Sequence, residues 1–136
     1  MGTPPLRDVV QTPRGSLFVT FYEPELLVAV VRGHLSTVLL PRYMSALADV
    51  AASGRAVGFH DWYDMTGYDS ECRRRMTEWG LNNRTRIEKV HFLVRHKLVA
   101  MGVATGSLLV GGDLVATYTD RAVFQAALDR VIVRRG

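Results

Sequence analysis

The amino-acid sequence predicts a single-domain α/β fold: a mixed, mostly parallel β-sheet of about five strands flanked by about four helices. Three observations carry that prediction. Runs rich in β-branched and aromatic residues alternate with segments whose apolar residues recur at helical spacing, in the order β-β-α-β-α-β-α-β-α. The run Leu26-Leu-Val-Ala-Val-Val31 is apolar at every position, as in a central strand buried on both faces. The chain has 136 residues, enough for one hydrophobic core and too few for two independent ones.

Residues 1–14, with Pro4, Pro5 and Pro13, are expected to form an irregular arm, and the α/β domain to occupy residues 15–136. Ser16 to Glu23 is dense in aromatic and β-branched residues and closed by Pro24, which reads as a strand ending in a turn. Glu25 to Arg32 follows as the central strand, the first strand then lying at the sheet edge. Ser36 or Thr37 is expected to cap a helix from about Val38 to Ala52, with Leu39, Leu40, Tyr43, Leu47 and Val50 on one side and Pro41 in its first turn. Gly54 supplies the left-handed stop. Ala56 to Tyr63 is the third strand.

After the turn that it enters, Asp69 or Ser70 is expected to cap a helix through Arg73, Met76, Trp79 and Leu81, with Glu71 in its positive first turn. Lys89 to Arg95 is the fourth strand, followed by the apolar helix Leu98 to Leu109. In that helix Gly102 and Gly106, four apart, leave a smooth face for close packing. Gly111-Gly112 turns into a strand at Leu114 to Tyr118. The last helix is capped by Thr119 or Asp120 and directs Phe124, Leu128 and Val131 inward.

Composition removes several function classes. Hydrophobic residues make up 48% and charged residues 22%, ordinary globular values. No apolar run approaches the roughly 18 residues of a membrane span, and the start shows no secretory signal, so a cytoplasmic location is expected. The single cysteine, Cys72, has no disulfide partner and is expected to be a packed, inert thiol. The net charge of +4 is concentrated in Arg73 to Arg75, Arg84 with Arg86, and Arg134 with Arg135. No recognition motif accompanies these clusters, so a solvated helix face is expected rather than a nucleic-acid surface. His34, His60, His91 and His96 lack metal-binding spacing. No serine stands in a GxSxG elbow and no glycine loop in a nucleotide fingerprint, and neither metal nor cofactor is expected.

The stretch Asp61-Trp-Tyr-Asp-Met-Thr-Gly-Tyr-Asp-Ser70 concentrates carboxylates and hydroxyls at the carboxyl end of a strand, where α/β sheets commonly bind. As an ordinary capped turn, Thr66-Gly67 makes the bend and Asp69 or Ser70 the cap. As a small-ligand or catalytic site, Asp61, Asp64 and Thr66 would act together at the sheet edge.

A strand ending in aspartate, then Asp64-Met-Thr-Gly67 opening onto a helix, resembles the Asp-Ser-Ser/Thr-Gly phosphorylation turn of the STAS family, the anti-sigma factor antagonists and their relatives. The block Leu98 to Leu128, especially Leu108 to Phe124, looks like the penultimate helix, final strand and final helix of stand-alone STAS-like proteins, and the resemblance spans about Ser16 to Val133. It implies a STAS-like fold and a non-catalytic bacterial regulatory module that binds another regulatory protein. It places Thr66 at the phosphorylated hydroxyl. Met65 stands where the family has a serine, and Tyr68 where it has an aliphatic residue. The surface expected to meet the partner comprises Asp64, Thr66, Gly67, Tyr68, Ser70, Arg73, Arg74, Met76 and Trp79. Self-association through the apolar Leu98 to Leu109 segment, giving a homodimer, is the further alternative.

Overall fold

The computed structural model describes residues 4–135, in which seven strands form one sheet. The elements are β1 (Leu6–Gln11), β2 (Gly15–Tyr22), β3 (Leu26–Leu35), α1 (Leu40–Ala51), β4 (Ala56–Trp62), β5 (Met65–Tyr68), α2 (Ser70–Asn82), β6 (Ile87–Val94), α3 (Lys97–Val110), β7 (Val115–Tyr118) and α4 (Arg121–Arg135). The order across the sheet is β1-β2-β3-β4-β6-β7, with β5 also paired to β3. The pairs β1–β2 and β2–β3 are antiparallel and the rest parallel, so the expected mixed, mostly parallel sheet is present.

Two strands exceed the expected five. The first corrects the irregular arm: Leu6–Gln11 is the edge strand β1, while residues 1–3 of that arm lie outside the described residues. The prolines flank this strand rather than interrupt it, which an edge strand tolerates. A turn joins it to β2, in which the Gly15 N–H donates to the Thr12 hydroxyl at 3.1 Å and the Thr12 N–H to the Gly15 carbonyl at 2.8 Å. The Arg42 guanidinium of α1 then holds Asp8 at 2.6 Å. The second additional strand is β5, taken up below.

β3 lies centrally, as its continuous apolarity requires, and its alternate residues serve two cores. On one face Leu27, Ala29 and Val31 join Leu40, Tyr43 and Leu47 of α1, Cys72 of α2, and Val99 and Val103 of α3. On the other, Leu26 joins Val57, Phe59 and Leu93 under Phe124, Ala127 and Leu128 of α4. Three helices therefore cover one face and one helix the other.

The helix ends match the sequence in part. α1 starts at Leu40, two residues later than expected, with Leu39 in the N-cap position and no side-chain cap. Ser36 instead shapes the preceding turn, its hydroxyl accepting from the Val38 N–H at 3.3 Å. Gly54 has the positive φ, 76°, that a helix stop needs. Asp120 caps α4, accepting the Ala122 N–H at 2.8 Å. The glycine face of α3 receives neighbours at close range: a Cβ on Gly106 would stand 3.3 Å from the Thr77 hydroxyl of α2, and one on Gly102 would collide with the Tyr68 hydroxyl. Among the described residues no helix is long and apolar enough to cross a membrane.

Candidate functional site

The site follows from how two strands share one edge of β3. β4 pairs with Leu26 to Val30, its last partner there being Asp61. β3 runs on to Leu35, so its final residues present an edge that β4 does not reach. The chain turns at Tyr63 and Asp64, the Asp64 carbonyl accepts the Gly33 N–H at 3.0 Å, and β5 takes up the remaining edge. Asp64-Met-Thr-Gly67 is thus not the expected Thr66-Gly67 bend. The turn lies three residues earlier, at Tyr63 and Asp64, and Met65 to Tyr68 are strand.

The ladder between β3 and β5 contains a bulge. Gly33 pairs with Met65 and the next residue, His34, pairs with Gly67, so Thr66 is the unpaired extra residue. A bulge re-aims its extra side chain, and Thr66 is exposed while Met65 and Gly67 on either side are buried. Gly67 backs onto His34, whose Nδ1 would lie 3.3 Å from a Cβ there.

Asp69 sits at the N-cap position of α2 but does not cap it with its side chain. One carboxylate oxygen meets His34 Nε2 at 2.7 Å and the other accepts the Thr37 N–H at 2.9 Å. These bonds, His34 foremost, hold its carboxyl below the usual range. The start of α2 is therefore tied to the β3–α1 connection. Cys72 is wholly buried, with its thiol against the Leu35 carbonyl. Burial is the main cause that pushes the thiol up to about 11, in keeping with the inert role expected of it.

The two candidate carboxylates before the bulge are held by different arginines. Asp61 is gripped at both oxygens by Arg121 at the start of α4, at 2.7 and 3.2 Å. Asp64 meets Arg95 at 3.3 Å. The Tyr63 ring lies between the two guanidiniums, 4.7 Å from that of Arg95 and 5.1 Å from that of Arg121. Each carboxylate is thus paired with its own arginine.

On α2, Ser70 and Arg74 are exposed, and Arg74 bridges Glu71 and, at 2.7 Å, Glu78. Arg73, Met76 and Trp79 are half-buried, the last two packed against the core with Tyr68. Their spacing from Cys72 is that of an inward helical stripe, so most of their surface is turned away from any partner. Beside α2, α3 displays an uncovered apolar row: Leu98, Met101 and Leu108 are 57, 59 and 86% exposed.

Sequence reasoning did not find His34, Arg95 or Arg121 as members of this site. Each reaches it only through the topology. Nor did it find the buried chain in which Trp62 Nε1–H donates to the Tyr43 hydroxyl at 3.0 Å and that hydroxyl meets His60 Nδ1.

No family model and no curated protein matches the chain. Among solved structures it is similar to an uncharacterized protein of the DUF3478 family with a SpoIIAA-like fold from Shewanella loihica PV-4. That likeness has 14% identity and a TM-score of 0.60 over 95% of this chain and 97% of that one. It is also similar to an anti-sigma factor antagonist from Mycobacterium paratuberculosis, at 14% identity and a TM-score of 0.59 over 87% of this chain and 97% of that one. The chain therefore has the SpoIIAA-like, STAS-type fold, the architecture that its Asp64-Met-Thr-Gly67 stretch resembled.

Proposed function

We propose that this protein is a non-catalytic regulatory module that binds another regulatory protein, and that the state of Thr66 controls the binding. The observation that carries the reading is the bulge: it lifts one hydroxyl out of the sheet, between buried neighbours, four residues before α2 begins. The likeness to an anti-sigma factor antagonist supports the same class of role. A phosphate on Thr66 would add about −1.5 to −2 charge at this point. The nearby carboxylates would oppose it less than their number implies, because Asp64 is engaged by Arg95 and Asp69 by His34. The partner surface comprises Asp64, Thr66, Gly67, Tyr68, Ser70 and the outer edge of α2 with Arg73 and Arg74. Met76 and Trp79 contribute chiefly by holding that helix in place.

The test is an affinity capture from the native cell with wild-type, Thr66→Ala and Thr66→Glu baits, with mass spectrometry of the captured proteins and of the bait. A partner retained by Thr66→Ala and lost with Thr66→Glu, together with phosphate on wild-type Thr66, is the expected result. The same partners on all three baits and no phosphate would make this surface a constitutive one.

A second reading rests on the exposed row Leu98, Met101 and Leu108, which is suited to pairing with a second copy of the chain. Sedimentation across a hundredfold concentration range distinguishes it. Self-association predicts a rising mass for the wild type and a constant monomer mass for Leu108→Glu.

A further inference from the structure

Between the sheet and the α2–α3 pair lies a cavity of about 110 Å³. Trp62, Met65 and Phe92 supply apolar wall from the sheet side and Val99 and Val103 from α3, with Gly102 and Gly106 also on the lining. For scale, an apolar cavity of about 150 Å³ holds one benzene molecule. This one is a little smaller, fit for a five-membered ring or a short branched chain.

Polar residues on its lining are Tyr68, Arg73, Thr77, Ser107 and His60, of which His60 is the most deeply buried. His60 is 2% exposed and lines the cavity. Its protonation is dictated by its neighbours. The Tyr43 hydroxyl already accepts the Trp62 indole N–H, and Tyr43 is wholly buried, so among the described residues the partner left for its own proton is His60 Nδ1. The ring proton therefore sits on Nε2. That nitrogen lies over Gly58, where a Cβ would come within 2.8 Å of it, and it has no hydrogen-bond partner among the described residues. Side-chain nitrogens and oxygens that are sealed from accessible space all have partners among those residues, so Nε2–H borders open space, and the space beside it is the cavity. Burial, aided by nearby His91, pushes the imidazole down to about 3, which keeps it uncharged at neutral pH.

We propose that this cavity is a binding site for a small uncharged apolar molecule carrying one acceptor oxygen, a ketone, ether or ester, recognised by His60 Nε2–H. The site is separate from Asp61, Asp64 and Thr66 and does not depend on the partner-binding reading, since no partner is needed to observe it.

The experiment titrates the wild-type protein with cyclopentanone and with methylenecyclopentane, which share a shape and differ in the acceptor oxygen. Histidine-ring and indole ¹H–¹⁵N spectra are recorded. The expected result is a saturable shift of the His60 Nε2 and Trp62 Nε1 signals, with cyclopentanone bound about tenfold more tightly. A Val103→Met variant, which fills the cavity, abolishes the shift. If that variant does not fold, the two wild-type titrations decide alone. Absence of a saturable shift with either probe, or equal affinity for both, overturns the proposal.

Discussion

Replacing Tyr43 by phenylalanine isolates the energetic weight of the buried chain Trp62–Tyr43–His60. The substitution removes one oxygen atom and leaves the packed ring, so little of its effect arises from lost volume. What it removes is the acceptor for the Trp62 indole N–H, 3.0 Å away, and the donor for His60 Nδ1. Trp62 is 8% exposed and His60 2%, so neither orphan regains water. A buried polar group left without a partner costs about 1–3 kcal/mol, and two such groups, offset by the phenol that no longer needs desolvating, give a net loss of about 2–4 kcal/mol. For a chain of this length that is a fall in Tm of roughly 6–15 °C. Urea unfolding followed by tryptophan fluorescence and by circular dichroism measures it, with an unchanged m-value as the sign that only stability moved. Adding Trp62→Phe to Tyr43→Phe removes one of the orphans, so the pair should cost less than the sum of the single changes by about 1 kcal/mol. A loss under about 1 kcal/mol for Tyr43→Phe, or strict additivity of the pair, would refute the reasoning.

The same buried imidazole makes stability depend on pH. Its folded value of about 3 lies below its ordinary value, so the unfolded chain binds a proton that the folded one refuses, and stability drops as pH falls below about 6.5. Between pH 7 and pH 5 His60 alone accounts for a loss of about 2 kcal/mol, to which His91, pushed down to about 4 chiefly by burial, adds a smaller share. Urea titrations at both pH values should show this, with a shallower dependence in His60→Phe. Gly58→Ala places a methyl 2.8 Å from a histidine nitrogen that Tyr43 holds still, and should cost about 1–3 kcal/mol in the same assay. Asp69→Asn weakens the tie between α2 and the β3–α1 connection, so amide hydrogen exchange should quicken at Thr37 and in the first turn of α2 while β3 stays protected.

Local chemistry made much of the fold legible. The unbroken apolar run of β3 marked a strand with helices on both sides, Gly54 and Asp120 marked helix ends, and the glycines of α3 marked a face that other groups approach. β1 was hidden by the flanking prolines and by its exposed, half-polar pattern, which holds only because β2 offers an edge. β5 was hidden for a stronger reason. Four residues carry no readable period, and the strand exists because β3 outruns β4 at its carboxyl end. The site was legible as a place and not as an arrangement: Thr66 stood out by motif, but Arg121 is 60 residues from Asp61 and His34 is 35 from Asp69, distances that only the sheet order closes.

The exposure of Thr66 and the footing of α2 have one origin. β5 must climb the last residues of β3 from a start fixed by the hydrogen bond between Gly33 and Asp64, and it must end where Asp69 can reach both His34 and Thr37. Three consecutive β3 residues, Gly33 to Leu35, lie opposite four on β5, Met65 to Tyr68, and the surplus residue is Thr66. Its side chain stands out because the two anchored ends leave it no place in the ladder. A charge placed there acts on a segment pinned on one side by Asp64 and on the other by Asp69, so its effect is confined to the outer surface of β5 and α2 rather than absorbed by a yielding loop. Under the switch proposed above, Gly67 would have a positioning role, since a side chain there would press on His34, which anchors Asp69 at the start of α2.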